Sequence, residues 1–116
     1  MAINVEDKNG RRCIRLDDVV DIAQAADLKE ILIDAIGSFA SVRVEVSGAS
    51  AIDVTTVQLL WTALSHASSA GKDFAIEGRW NKEIERSLSG TGISPILHSM
   101  LAKSAEEESN VLAARN

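Results

Sequence analysis

Among its 116 residues the chain has one cysteine, one proline, no tyrosine, two phenylalanines and two tryptophans. A lone thiol, Cys13, cannot close an internal disulfide. Without a second thiol or any Cys/His cluster, the sequence offers neither a redox pair nor a metal site, so no cofactor or metal is expected. Cations are also scarce: 12 Lys and Arg stand against 17 Asp and Glu, a net charge of −5. That balance argues against nucleic acid as a partner, because phosphate backbones reward clustered Lys and Arg. No uncharged apolar stretch approaches the roughly 20 residues of a membrane span. The amino terminus, Met-Ala-Ile-Asn-Val-Glu-Asp, lacks a basic region followed by an apolar run. A soluble cytoplasmic protein without membrane insertion is therefore expected. The stretch Ser47-Gly48-Ala49-Ser50 is too poor in glycine to cradle phosphate and lacks the lysine of a P-loop, which excludes nucleotide hydrolysis of that kind.

Against these absences, 46% of the residues are hydrophobic, enough for one domain with a core that needs no staples. Residues 1–103 are assigned to that domain and 104–116, with the acidic run 106–108, to a loose solvated tail. The chain is organised around residues 42–64. Val42, Val44 and Val46 alternate with Arg43 and Glu45 as a strand with one buried and one more polar face. A loop of small residues, 47–50, then leads to Asp53, Thr55 and Thr56, and a helix follows with Val57, Leu60, Leu64 and Ala67 on its inward stripe.

Before this unit, residues 3–16 read as a hairpin about Asn9-Gly10, a type I′ turn pair, which sets Val5 opposite Ile14 and Ile3 opposite Leu16. Cys13 then faces away, beside Glu6. Residues 17–21 read as an acidic connector, with Asp21 and Gln24 as a capping box for a first helix. That helix carries Ala25, Leu28, Leu32, Ala35, Ile36 and Phe39 at helical spacing and is expected to fray between Ile36 and Phe39, where Gly37 and Ser38 weaken it. After the second helix, ended by Gly71, Phe74 and Ile76 mark another strand. Asn81 caps a short helix with Ile84 and Leu88, and Ser94-Pro95 starts a last one with Ile96, Leu97, Met100 and Leu101. The predicted architecture is α/β: a mixed four-stranded sheet, hairpin plus parallel strands, with about four helices.

Thr55 and Thr56 follow Asp53 at a helix start, where free backbone N–H groups and the helix dipole favour a phosphoryl group on a hydroxyl. Such a group would lie beside Asp53 and Asp21 and repel an acidic partner surface. The plainer alternative is that both threonines only cap the helix. Asp21 and Asp53 read as caps rather than an acid–base pair, since no His, metal ligand or pocket aromatic accompanies them. His66 and His98 read as surface or boundary residues. Trp61, at the edge of the stripe, either plugs the core margin or anchors a partner, and Trp80 reads as a lid over the sheet end.

These features, 42–46, Asp53-Val54-Thr55-Thr56, Val57-Gln58-Leu59-Leu60, Ala70-Gly71-Lys72, 74–77 and Ile84…Leu88…Thr91-Gly92-Ile93, resemble a STAS domain, the fold of bacterial anti-sigma factor antagonists. The family's phosphoacceptor motif is Asp-Ser-Ser-Gly, with the second serine modified by a kinase anti-sigma factor. On this chain Asp53 matches the acid, Val54 replaces the first serine, Thr55 falls on the acceptor and Thr56 replaces the glycine; Asp21 resembles the acid beside the acceptor.

The resemblance implies a non-enzymatic regulatory module that docks a kinase-type anti-sigma factor through Ser50, Val54, Gln58 and Trp61. Thr55 would be its phosphoacceptor, with Asp21, Asp53 and Thr56 flanking the switch. The alternative it leaves is a constitutive STAS subunit of a lipid-transport, chemotaxis or other signalling complex, and either reading is compatible with a homodimer. An enzyme would need a convergent nucleophile, base and oxyanion site, and the sequence shows none.

Overall fold

In the computed structural model, residues 2–90, 92–93 and 95–101 are described. The expected cap Ser94, Thr91 and the tail assigned to 104–116 lie outside them. The hairpin is β1 (Ile3–Lys8) and β2 (Arg11–Leu16), paired with Ile3 opposite Leu16 and Val5 opposite Ile14, the predicted register. Both turn residues sit at positive φ, Asn9 at 54° and Gly10 at 75°, as a type I′ turn requires.

The main sheet is completed by β4 (Ser41–Glu45) and β6 (Asp73–Glu77) in the order β1-β2-β4-β6, antiparallel only at the hairpin. Helices α1 (Ile22–Ser38) and α2 (Val54–Ser69) pack together against its apolar face, which presents Ile14, Leu16, Val42, Val44, Phe74 and Ile76. The predicted stripes are the buried ones: Ala25, Leu28, Leu32, Ala35 and Ile36 on α1, and Val57, Leu60, Leu64 and Ala67 on α2. Each fully buried leucine or valine contributes about 1.5–3 kcal/mol of transfer free energy. α2 ends in a Schellman motif: Lys72 N–H donates to the Ala67 carbonyl at 2.9 Å and Gly71 N–H to Ser68 at 3.1 Å, with Gly71 at φ 71°. Asn81 caps α3 (Lys82–Leu88), whose Ile84 and Leu88 are buried, and a last helix covers 95–101. Among the described residues no helix is long and apolar enough to cross a membrane.

Four expectations need correction. The acidic connector contains a strand, β3 (Asp18–Val20), and the loop of small residues runs into another, β5 (Ala49–Ile52), which pair in parallel as a separate two-stranded sheet. They continue the β2–β4 ladder past a kink in each strand. Asp18 takes φ 56° on one side, and the chain turns at Ser47 and Gly48 on the other, with Ala49 N–H donating to the Val46 carbonyl at 3.1 Å. Second, α1 does not fray before Ser38: Phe39 N–H still reaches the Ala35 carbonyl at 3.0 Å, held by packing of Ile36 and Phe39 on the core.

Third, the polar face of β4 is not open at Arg43, which is only 8% exposed. Its guanidinium reaches Asp73 at 3.0 Å and Glu77 at 3.3 Å on β6 and the Val42 carbonyl at 3.0 Å. Burial pushes the Asp73 carboxyl up, but hydrogen bonds from Arg43 and Ser41 outweigh it and hold Asp73 below its ordinary value. Fourth, Trp80 is a core residue, its indole N–H donating to the Leu97 carbonyl at 2.9 Å and tying the last helix to the end of β6.

Candidate functional site

The β3–β5 pairing brings the two long helices together at their N-termini. Val20 lies opposite Ile52 in a parallel register, where neighbouring strands run about 4.8 Å apart. The next residue on each strand, Asp21 and Asp53, is the N-cap of α1 and of α2 respectively. Two helix mouths, each with free N–H groups and partial positive charge, therefore open side by side.

Each acid satisfies its own helix. Asp21 Oδ1 accepts from Ala23 N–H at 2.9 Å while Gln24 Oε1 accepts from Asp21 N–H at 3.0 Å, the reciprocal capping box read in the sequence. Asp53 Oδ1 accepts from the backbone N–H of Thr56 at 2.9 Å and from the Thr56 hydroxyl at 2.9 Å. That hydroxyl also lies 3.3 Å from the Val20 carbonyl. Thr56 is completely buried and ties the start of α2 to β3.

Thr55, one residue earlier, is exposed in the first turn of α2. The two threonines thus divide the roles that adjacency in sequence left undivided. At helical spacing of about 100° per residue, one faces in and the other out.

Of the residues expected to contact a partner, Ser50 and Gln58 are exposed and Val54 is partly so, while Trp61 is half-buried and packs on the core margin. Val54 and Ser50 stand at the end of the fold that carries Thr55. Two further apolar residues at that end were not singled out by the sequence: Val19 on β3, 48% exposed, and Ile22 at the first position of α1, 72% exposed. Their signal was present but unread, since Val19-Val20-Asp21-Ile22 has more apolar residues than a solvated connector needs. His66 and His98 are exposed on α2 and on the last helix, away from this end.

No family model matches the chain and no curated protein matches it in sequence. Solved structures do match in fold. The anti-sigma factor antagonist SpoIIAA in its unphosphorylated form aligns with a TM-score of 0.63 and 15% identity over 76% of this chain and 81% of its own. The phosphorylated form of the Bacillus protein aligns with a TM-score of 0.63 and 15% identity over 81% of this chain and 86% of its own. An anti-sigma factor antagonist from Mycobacterium paratuberculosis gives 0.59 and 15% over 80% and 79%. The protein Mglu matches over 67% of this chain with a TM-score of 0.58 and 20% identity, and there the chain spans only 20% of the other's length. These antagonists are STAS-domain proteins, and the chain carries the STAS fold.

Proposed function

We propose that the protein is a non-enzymatic regulatory module that binds a protein partner through the paired mouths of α1 and α2, with Thr55 as a phosphoacceptor that controls the binding. The observation that carries this reading is the exposed Thr55 side chain in the first turn of α2, beside the Asp53 cap and next to the Asp21 cap. Thr56, in the place of the motif's glycine, turns its branched side chain inward, so it leaves the approach to Thr55 clear. The neighbour SpoIIAA has been solved both unphosphorylated and phosphorylated, which supports a fold that can carry the modification.

The physical mechanism is a change of surface, not of fold. A phosphoryl group on Thr55 adds about −1.5 to −2 charge at pH 7. The helix mouth stabilises that charge locally, so α2 stays folded. The cost falls on the complex. Val19, Ile22 and Val54 form an exposed apolar margin at this end; covering it with a partner would strip water from the phosphate and set it against any carboxylate the partner presents. Asp21, Asp53 and Thr56 flank the switch, and Ser50, Gln58 and the exposed edge of Trp61 extend the contact. The partner best suited is a kinase-type anti-sigma factor, which would both bind and modify this end, in the cytoplasm.

The test is phosphorylation of the intact chain by a kinase-type anti-sigma factor from the same genome with ATP, read by intact mass and peptide mapping. One phosphoryl group at Thr55, absent from Thr55→Val, together with loss of the complex, is expected. No transfer, or transfer mapped to another residue, removes the switch. A second reading, a constitutive subunit of a transport or signalling assembly, is favoured by the two hydrogen bonds that Asp53 accepts from Thr56, which show this segment already serving as a cap. In that case Thr55→Glu binds the partner as the wild type does.

A further inference from the structure

Along the middle and C-terminal parts of α1 and α2 the two helices part into a groove of about 510 Å³. Leu32, Ile33 and Ile36 of α1 and Leu59 of α2 line it with apolar surface. The space exists because the facing positions are small. Gly37 and Ala63 also line it, and a Cβ added at Gly37 would meet no atom within 4 Å. A glycine inside a helix is unfavourable relative to alanine, and here no neighbouring side chain fills the room it leaves. Ile33 remains 61% exposed at the lip.

The charge around this groove is opposite to that of the whole chain. Lys29 and Lys72 are the charged residues among its described lining and no carboxylate lines it, although the chain carries a net charge of −5. Two kinds of occupant can be weighed. A second copy docked by twofold symmetry would set these cations against their own counterparts, which is repulsive. A small molecule with an apolar body and one anionic head matches both the lining and the rim, and the volume lies within the roughly 300–1,000 Å³ usual for small-molecule sites.

We infer that this groove binds a single-chain amphiphilic anion of the fatty-carboxylate type. Its chain lies along Leu32, Ile33, Ile36 and Leu59, and its carboxylate is met by Lys29 and Lys72. The groove lies further along the helices than Thr55: its lining on α2 runs from Leu59, four positions on, to the C-cap Ala70, fifteen positions on, roughly 6 to 22 Å along the axis.

The experiment is calorimetric titration of the full chain with dodecanoate below its micellar concentration, with dodecanol and dodecylammonium as probes of the same length. Saturable one-to-one binding of dodecanoate is expected, with dodecylammonium at least about tenfold weaker. The double variant Lys29→Gln/Lys72→Gln weakens dodecanoate about tenfold and leaves dodecanol unchanged. Gly37→Leu, which fills the groove, and Ile33→Glu, which places a carboxylate at its lip, each weaken dodecanoate about tenfold or more. Ile33 is a surface position, so Ile33→Glu carries the test even if Gly37→Leu fails to fold.

Absence of saturable binding to the wild type overturns the inference, as does equal affinity for the ammonium or binding that none of the three variants alters. A wild-type dimer that Ile33→Glu dissociates would place a second copy in the groove and overturn it as well.

Discussion

Asp53 and Thr56 are joined twice, since one carboxylate oxygen of Asp53 accepts both the backbone N–H and the hydroxyl of Thr56, each at 2.9 Å. The pair closes the first turn of α2 and, through the Val20 carbonyl 3.3 Å from the hydroxyl, clamps that turn to β3. Thr56→Val keeps the shape and removes the hydroxyl, leaving a buried carbonyl without this donor. A loss of about 1–3 kcal/mol in chemical denaturation is expected. Asp53→Ala removes the cap and should cost about 0.5–2 kcal/mol. Thr55→Val, at an exposed position, should stay within about 0.5 kcal/mol of wild type. Equal losses at Thr55 and Thr56 would contradict the division of roles.

Thr55→Glu separates stability from binding. A negative charge in the first turn of α2 is favourable by about 0.3–1 kcal/mol at low ionic strength, so the unfolding midpoint should hold or rise slightly. Under the phosphoacceptor reading, partner capture by the same variant falls. A drop in stability would show that the helix mouth does not tolerate the charge.

The acid limb of the stability curve should carry a component from Asp73. Because the fold holds its carboxyl below the ordinary value, folding favours the ionised form. The contribution is fully present above the unfolded-state pKa and is lost as pH falls through the lower folded-state value. Asp73→Asn should flatten the decline in stability at acid pH and leave Arg43 short of one anionic partner. An unchanged acid limb in denaturation series from pH 7 downward would count against this ion pair.

Gly37→Ala tests the helix without touching the core. The added methyl meets nothing within 4 Å, and exchanging a helical glycine for alanine raises stability by up to about 0.5–1 kcal/mol, the helix-interior value, with less at the penultimate position of α1. Thermal and denaturant unfolding of the single variant should show the gain. A loss would mean that the α1 terminus does need glycine there.

Trp80→Phe removes the indole N–H that the Leu97 carbonyl accepts at 2.9 Å. Ring burial is largely kept, so the loss of about 1–3 kcal/mol comes from the orphaned buried carbonyl. Hydrogen exchange over residues 95–101 should rise before that of the sheet. Uniform acceleration across the chain would indicate instead that this helix unfolds only with the whole domain.

The parts of this protein legible in its sequence are those set by neighbours a few residues apart. Asn9-Gly10 and the period-two pattern around it determined the hairpin register to the residue. The three-residue spacing of Asp21 and Gln24 announced the capping box, and Gly71 announced the end of α2. The inward stripes of α1 and α2 followed from their 3.6-residue period.

What tertiary structure alone decided is the environment that distant segments create for one another. β3 and β5 are three and four residues long, too short to show a period, and they are strands only because each pairs with the other. That pairing, not any local pattern, brings Asp21 beside Asp53 and sets two separate caps side by side. Arg43 is buried because β6 supplies Asp73 and Glu77, and Trp80 is core because residue 97 returns to it. The groove beside Gly37 is the space left between two helices, a property of their packing that neither helix encodes by itself.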